Sequence, residues 1–357
     1  MADLSRRVMR RLGMNYIGLE IPGALGQWVD ITPGGVTLGT FGFSSRPVML
    51  DGTVYAALAA GGIYKTSDYG ATWTGPIESG GGLIGIGLAV GTPPSTLYGC
   101  NISHDYGFWR SSNKGVNWTN INISPLPSDR QDVYQPEVDP YDPTHLLICA
   151  HENNYLVHST NAGDTWSSIT LDAGMITGGG TAWCFFIDTG VPSTTRTTWL
   201  WLAQSSSGAY GTWRTTNSGT NWTQVDTNEH PHGECQIYQP GNGVIFLAGV
   251  YSALGQGVLR STDYGATWAN VGVSNPASIV WGTPTSIWGA YGWASGGPVT
   301  PVLQTATPPG ASGWSSTGDP AGMDRGPAGA VIITDSVRRG FITCNWASGI
   351  WRYVENI

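Results

Sequence analysis

Charge is scarce in this chain. Only 11% of its 357 residues are charged, and lysine occurs twice, at Lys65 and Lys114. Helical surfaces are normally built from Lys and Glu, so a mainly helical protein is excluded. Long apolar runs are missing too: no stretch approaches the ~18 residues of a membrane-spanning helix, and the N-terminus lacks the apolar core of a secretory signal. A chain made in the cytoplasm, with no transmembrane segment, is expected. The five cysteines (Cys100, Cys149, Cys184, Cys235, Cys344) are odd in number, dispersed and without CxxC spacing. Buried free thiols are therefore expected in place of a disulfide framework.

Glycine (52), proline (22) and tryptophan (17) are abundant, and 40% of residues are hydrophobic. That composition describes one large all-β domain of short strands and frequent turns around a sizeable core. The net charge of −8 is uneven. Arg6, Arg7, Arg10 and Arg11 stand against Asp3 and Glu20 near the N-terminus, while the remaining body is strongly acidic. Such a body repels phosphate, which excludes nucleic acid as a partner.

Five eight-residue segments align without gaps. They are Thr66–Trp73, Ser111–Trp118, Ser159–Trp166, Thr215–Trp222 and Ser261–Trp268. Each carries a hydroxyl at position one, Asp or Asn at three (Asp68, Asn113, Asn161, Asn217, Asp263), Gly at five and Trp at eight. A β-type run ending in a basic residue precedes each, as in Gly107-Phe-Trp-Arg110, so the unit is strand, tight turn, strand. Asp or Asn binds the backbone ahead of it, Gly supplies a positive φ, and Trp plugs the hairpin against its neighbour.

These segments resemble the Asp-box, or BNR, repeat of sialidases, Asp-box xyloglucanases, sortilin-type receptors and photosystem II assembly-factor propellers. The resemblance covers the repeats and implies a β-propeller of four-stranded blades. A degenerate sixth copy runs from Thr305 to Trp314. A seventh is split between Gly349-Ile-Trp-Arg352 and Gln27-Trp28-Val-Asp-Ile-Thr32. The Trp positions from 28 to 314 are 45, 45, 48, 56, 46 and 46 residues apart, so seven blades are expected, the last closed by an N-to-C strand clasp. The domain division is 1–26, a basic arm, and 27–357, the propeller. In the arm Leu4, Val8 and Leu12 form one stripe of a helix suited to docking on a larger protein assembly.

The repeats join third to fourth strands and lie on one face. Loops leading into first and third strands share the opposite face, where binding or catalysis is expected. Asp132, Glu152, Glu234 and Asp324 are the candidate carboxylates for glycoside hydrolysis, which needs two such groups ~5–9.5 Å apart. Arg46, Arg130 and Arg325 echo the arginines that a sialidase sets on a sugar carboxylate. His104, Asp105 and Tyr134 are further ligand candidates. Trp293 and Trp346, each in a Trp-Ala-Ser-Gly segment, suit stacking on sugar rings or packing between blades. His230 and His232, with His151, could complete a zinc set or simply bond their neighbours; no cofactor is expected.

The repeat family acts mostly outside cells, and release by lysis would reconcile that with the missing export signal. The sequence therefore reads as a non-catalytic glycan-recognition module of a virion-type or extracellular assembly. A polysaccharide hydrolase on the same face is the alternative, and a purely architectural subunit is the third.

Overall fold

The computed structural model describes residues 20–36, 46–58, 62–78, 85–91, 95–101, 107–129, 131–134, 136–150, 155–175, 181–191, 196–204, 211–228, 230, 236–248, 257–271, 277, 279–290, 304–307, 312–324, 326–345 and 348–356. Its strands form seven four-stranded antiparallel sheets. Six are meanders in chain order, within residues 48–78, 85–121, 137–169, 181–226, 238–270 and 279–316. The seventh joins Pro327–Thr334, Arg338–Asn345 and Gly349–Asn356 to Trp28–Asp30. The fold is an all-β propeller with four-stranded blades, and the described helical structure is one short 3-10 turn at Ala173–Met175. No described helix is long and apolar enough to cross a membrane.

The repeats make the turns that this architecture needs. In all five, the first-position hydroxyl donates to the third-position side-chain oxygen at 2.7–3.0 Å. It also accepts the N–H of the glycine at 2.9–3.1 Å. The third-position oxygen accepts the N–H of residue seven at 2.8–3.0 Å. Positive φ is not confined to the glycine as expected. Tyr69, Lys114, Ala162, Ser218 and Tyr264, at position four, have φ of 55–60°, followed by Gly at 79–89°. Two successive left-handed residues are what a type I′ turn demands, and the side-chain bonds offset the strain at the non-glycine position.

Blades are latched to one another through the repeats. A basic residue of a third strand donates to the position-four carbonyl of the next repeat: Arg110 Nη1 to Ala162 at 2.9 Å, Arg214 Nε to Tyr264 at 2.8 Å, and Arg352 Nη1 to Tyr69 at 2.7 Å. The repeat glycines press on the blade before them. A Cβ on Gly70 would lie 2.4 Å from Ile31, and one on Gly219 2.6 Å from Ile169. Apolar clusters fill the spaces between neighbouring sheets, including Trp199, Trp201 and Leu200. Cys100, Cys149, Cys184 and Cys344 are buried and form no disulfide, as expected, with desolvation raising the thiol pKa of the first three.

The ends of the chain meet in the seventh sheet. Trp28 pairs with Tyr353 and Asp30 with Trp351, and the Trp28 ring meets Trp288 edge-on at 5.7 Å. Residues just before the division at 26 contact the last sheet. Ile21 is fully buried, its N–H donates to Asp335 at 2.6 Å, and its carbonyl accepts from Arg338 at 2.8 Å. It packs beside the turn at Asp335–Arg338 that joins the first two strands of that sheet. Leu4, Val8, Leu12 and the flanking arginines lie outside the described residues.

Candidate functional site

First strands touch one another around the axis, from the first sheet through the fourth and from the fifth through the seventh back to the first. Between the fourth and fifth sheets the Gln239 side chain bridges, accepting from Asp188 N–H and donating to the Phe186 carbonyl. Two further links span the axis, each skipping one blade. Arg46, just before the first inner strand, pairs with Glu137 of the third at 3.4 Å. Gln236, just before the fifth inner strand, pairs through both amide atoms with the backbone of Ala330 in the seventh, at 2.8 and 3.0 Å. Such links are possible only across the centre, so this end of the axis is a polar floor.

Burial raises the Glu137 carboxyl above the ordinary range, while Arg46 pulls it back in part. Sequence reasoning missed Glu137 and Gln236. The signal available for Glu137 was a carboxylate inside the first strand of a blade, since the other first strands carry no charged residue.

Beside this floor one side chain ties down residues 123–127. Gln131 accepts from Ile123 N–H and donates to the carbonyls of Ile123, Leu126 and Pro127. A Cβ on Gly107, which leads into a third strand, would lie 2.7 Å from the Gln131 carbonyl. The two kinds of loop expected on one face therefore do meet there. Asp132 follows, with only 1% of its surface exposed, next to the Val133–Ala150 bridge. Strand alternation puts it on the same side as Tyr134.

Tyr134 corrects its expected role as a ligand contact. Its ring is buried 4.1 Å from Trp183, so it serves packing between the third and fourth blades. Arg46 is engaged by Glu137. Asp324 is exposed, next to a turn closed by Met323 N–H on the Pro320 carbonyl. His230 bonds its neighbours. Its Nδ1 donates to the Ala248 carbonyl at 3.1 Å and its Nε2 accepts from Thr212 at 2.8 Å, so both nitrogens are spent. Desolvation pushes its pKa down to about 4, against smaller opposing effects of Ala248 and Asp226. The described residues contain no cluster of three or more potential metal ligands. His104, Asp105, Arg130, His151, Glu152, His232, Glu234, Trp293, Arg325 and Trp346 lie outside the described residues.

The fold is a propeller whose axis is spanned at one end by the Arg46–Glu137 and Gln236–Ala330 links. No family model matches the chain. Among curated proteins it is similar to a "Probable oligoxyloglucan-reducing end-specific xyloglucanase" of Neosartorya fischeri, 27% identical over 194 residues, covering 50% of this chain and 21% of that protein. Among solved structures it is similar to a GH74 xyloglucanase from Xanthomonas campestris (TM-score 0.63, 17% identity, 91% of this chain and 53% of that one). An ancestral GH74 enzyme gives a TM-score of 0.64 at 15% identity, over 91% and 51%. YCF48 from Cyanidioschyzon merolae gives 0.55 at 14%, over 92% and 98%. The chain thus spans about a fifth of the curated relative and about half of each GH74 structure.

These likenesses overturn the non-catalytic recognition module expected from the sequence. The curated relative is a hydrolase, and two of the structures sharing the fold are GH74 enzymes. The sequence reading went astray because it weighed the missing export signal above the chemistry available on the face.

Proposed function

We infer that this chain is a glycoside hydrolase acting on a polysaccharide of the xyloglucan type, and that its seven sheets are the blades of one closed Asp-box ring. The similarity to the Neosartorya xyloglucanase over half the chain carries the reading. The five identically bonded turns support the repeat assignment. Asp132 is taken as one of the two carboxyls because it directly follows Gln131, which ties this segment down beside the floor; its side chain is buried, so it reaches substrate only when that segment opens. Its partner is drawn from Glu152, Glu234 and the exposed Asp324. Glu137, neutralised by Arg46, is assigned to the axial floor.

Release of reducing ends from xyloglucan, mixed-linkage glucan and mannan tests this. Xyloglucan is the expected substrate, with rates falling ~10²–10⁴-fold for Asp132→Asn and for one of Glu152→Gln, Glu234→Gln and Asp324→Asn. An absence of release from every polysaccharide overturns the reading, and full activity in Asp132→Asn overturns the role given to that residue.

A further inference from the structure

The seam between the third and fourth blades lacks an arginine latch. The residue just before the repeat hydroxyl is Lys65, Arg110, Arg214 or Arg260 in blades one, two, four and five, but His158 in blade three. Where Arg110 and Arg214 reach the position-four carbonyl of the next repeat, His158 makes no bond to Ser218, and its Nδ1 is buried without a partner among the described residues. A second imidazole lies beside it. His145 is 5.7 Å from His158 and only 2% exposed, and both its ring nitrogens are likewise buried without a partner. The fourth blade covers the pair with aromatic rings: Trp199 lies 5.6 Å from His145 and 6.2 Å from His158, and Phe186 lies 4.8 Å from His145.

The charged and titratable groups around the pair are engaged with one another. Asp139 Oδ2 stands 3.9 Å from His145 Nδ1, but it accepts the Arg196 N–H at 2.5 Å, and Oδ1 accepts the N–H groups of Tyr141 and Asp142. Asp142 in turn accepts from the Thr144 hydroxyl. From the fourth blade Arg196 stacks on the Tyr141 ring at 3.6 Å and donates to Asp188, which also accepts from the Tyr141 hydroxyl. A proton on either imidazole is therefore a charge enclosed by aromatic rings beside a second imidazole, which is costly. Burial, and after it His158, hold His145 down to about 4 against the pull of Asp142, and burial lowers His158 as well. In an opened seam both rings meet water and take up protons near pH 6.5. Opening thus gains on closure as pH falls from ~6.5 towards about 4.

We propose that the seam between the third and fourth blades is an acid-sensitive joint, closed by the neutral His145–His158 pair and released when the pair takes up protons, while the arginine-latched seams stay shut. Amide hydrogen exchange of the full chain, expressed as protection factors at pH 7.5 and 5.0, tests this. Peptides spanning 139–147 and 196–202 border the joint, and one spanning 327–334, in the seventh blade, is the reference. Protection at the joint should fall about tenfold or more, as the proton linkage of one such histidine gives over this range, and the reference should change less than about twofold. The double variant His145→Phe, His158→Phe keeps two aromatic rings and removes both titrations, so its loss at the joint should shrink below about twofold. The unaltered chain gives a second measure that needs no variant: the His145 ring proton resonance of the folded protein should titrate below pH ~5. Equal losses at joint and reference, no loss at the joint, a loss that persists in the double variant, or a folded His145 titrating near pH 6.5 overturns the proposal.

Discussion

The Arg352 guanidinium donates to the Tyr69 carbonyl at 2.7 Å although the two residues stand 283 positions apart in the chain. The same bond, between the same two positions of consecutive repeats, joins Arg110 to Ala162 and Arg214 to Tyr264. The seam made by the two ends of the chain is therefore latched by the same chemistry as seams in its middle.

Arg352→Met should lower the unfolding free energy by about 2–3 kcal/mol, the usual cost of losing a buried bond to a charged group. Arg110 is more exposed, with 27% of its side chain accessible, and Arg110→Met should cost about 1 kcal/mol. Urea titrations check both. Equal losses would mean that burial of the latch is irrelevant.

Gly349 and Gly26 both have left-handed φ, of 77° and 72°. A Cβ on Gly26 meets nothing, while one on Gly349 would sit 2.1 Å from the Thr32 hydroxyl, which accepts from Ile350 N–H. Gly26→Ala should cost about 1–2 kcal/mol from backbone conformation alone. Gly349→Ala should cost clearly more in the same titration, because the N-terminal strand must also move.

His145 and His230 are both held at about 4, chiefly by desolvation, with His158 adding to the effect at His145. The unfolded chain therefore takes up these protons first, near pH 6.5. The stability these two histidines contribute should be complete above pH ~6.5, fall as pH drops towards about 4, and change no further below. His230→Gln should make that slope shallower in denaturant titrations at pH 7.5, 5.5 and 4.5. A flat profile over this span would refute the assignment.

Asp68 and Asp263 titrate in a separate window. Burial pushes both carboxyls up, but bonds from Thr72 and Thr66, and from Thr267 and Ser261, outweigh it and the net shift is downward. Their stabilising effect is present above pH ~4 and lost as pH falls below it. Because Asn113, Asn161 and Asn217 make the same backbone contact as neutral groups, Asp263→Asn should leave stability at pH 7 within ~0.5 kcal/mol and Asp263→Ala should cost about 1 kcal/mol. The double variant Asp68→Asn, Asp263→Asn should lose less stability between pH 4 and 2, read by urea titration.

The repeat was legible because each copy carries its own local bonds: hydroxyl, Asp or Asn, and Gly within five residues suffice to define a turn. The pairing of Trp28–Asp30 with the last strand followed from the Trp spacing. The axial links were not legible, since Arg46 and Glu137, or Gln236 and Ala330, meet only after blades have closed around the centre. Tyr134 was misread for the same reason: its neighbour Trp183 arrives from the next blade. The basic residue before each repeat stood in plain view at Arg110, Arg214 and Arg352, but its acceptor is a backbone carbonyl one blade away, which no residue type announces.

The borrowed strand also sets an order of events during synthesis. Trp28–Asp30 leaves the ribosome early, yet its partner Trp351–Tyr353 emerges roughly 300 residues later, on the order of 15–60 s at typical elongation rates. Through that interval the early strand has no sheet to join, and Ile21, whose N–H partner is Asp335, has no pocket. Nascent chains of this protein should thus expose the apolar segment around Ile21 and Trp28, open to chaperones, until Trp351–Tyr353 has emerged.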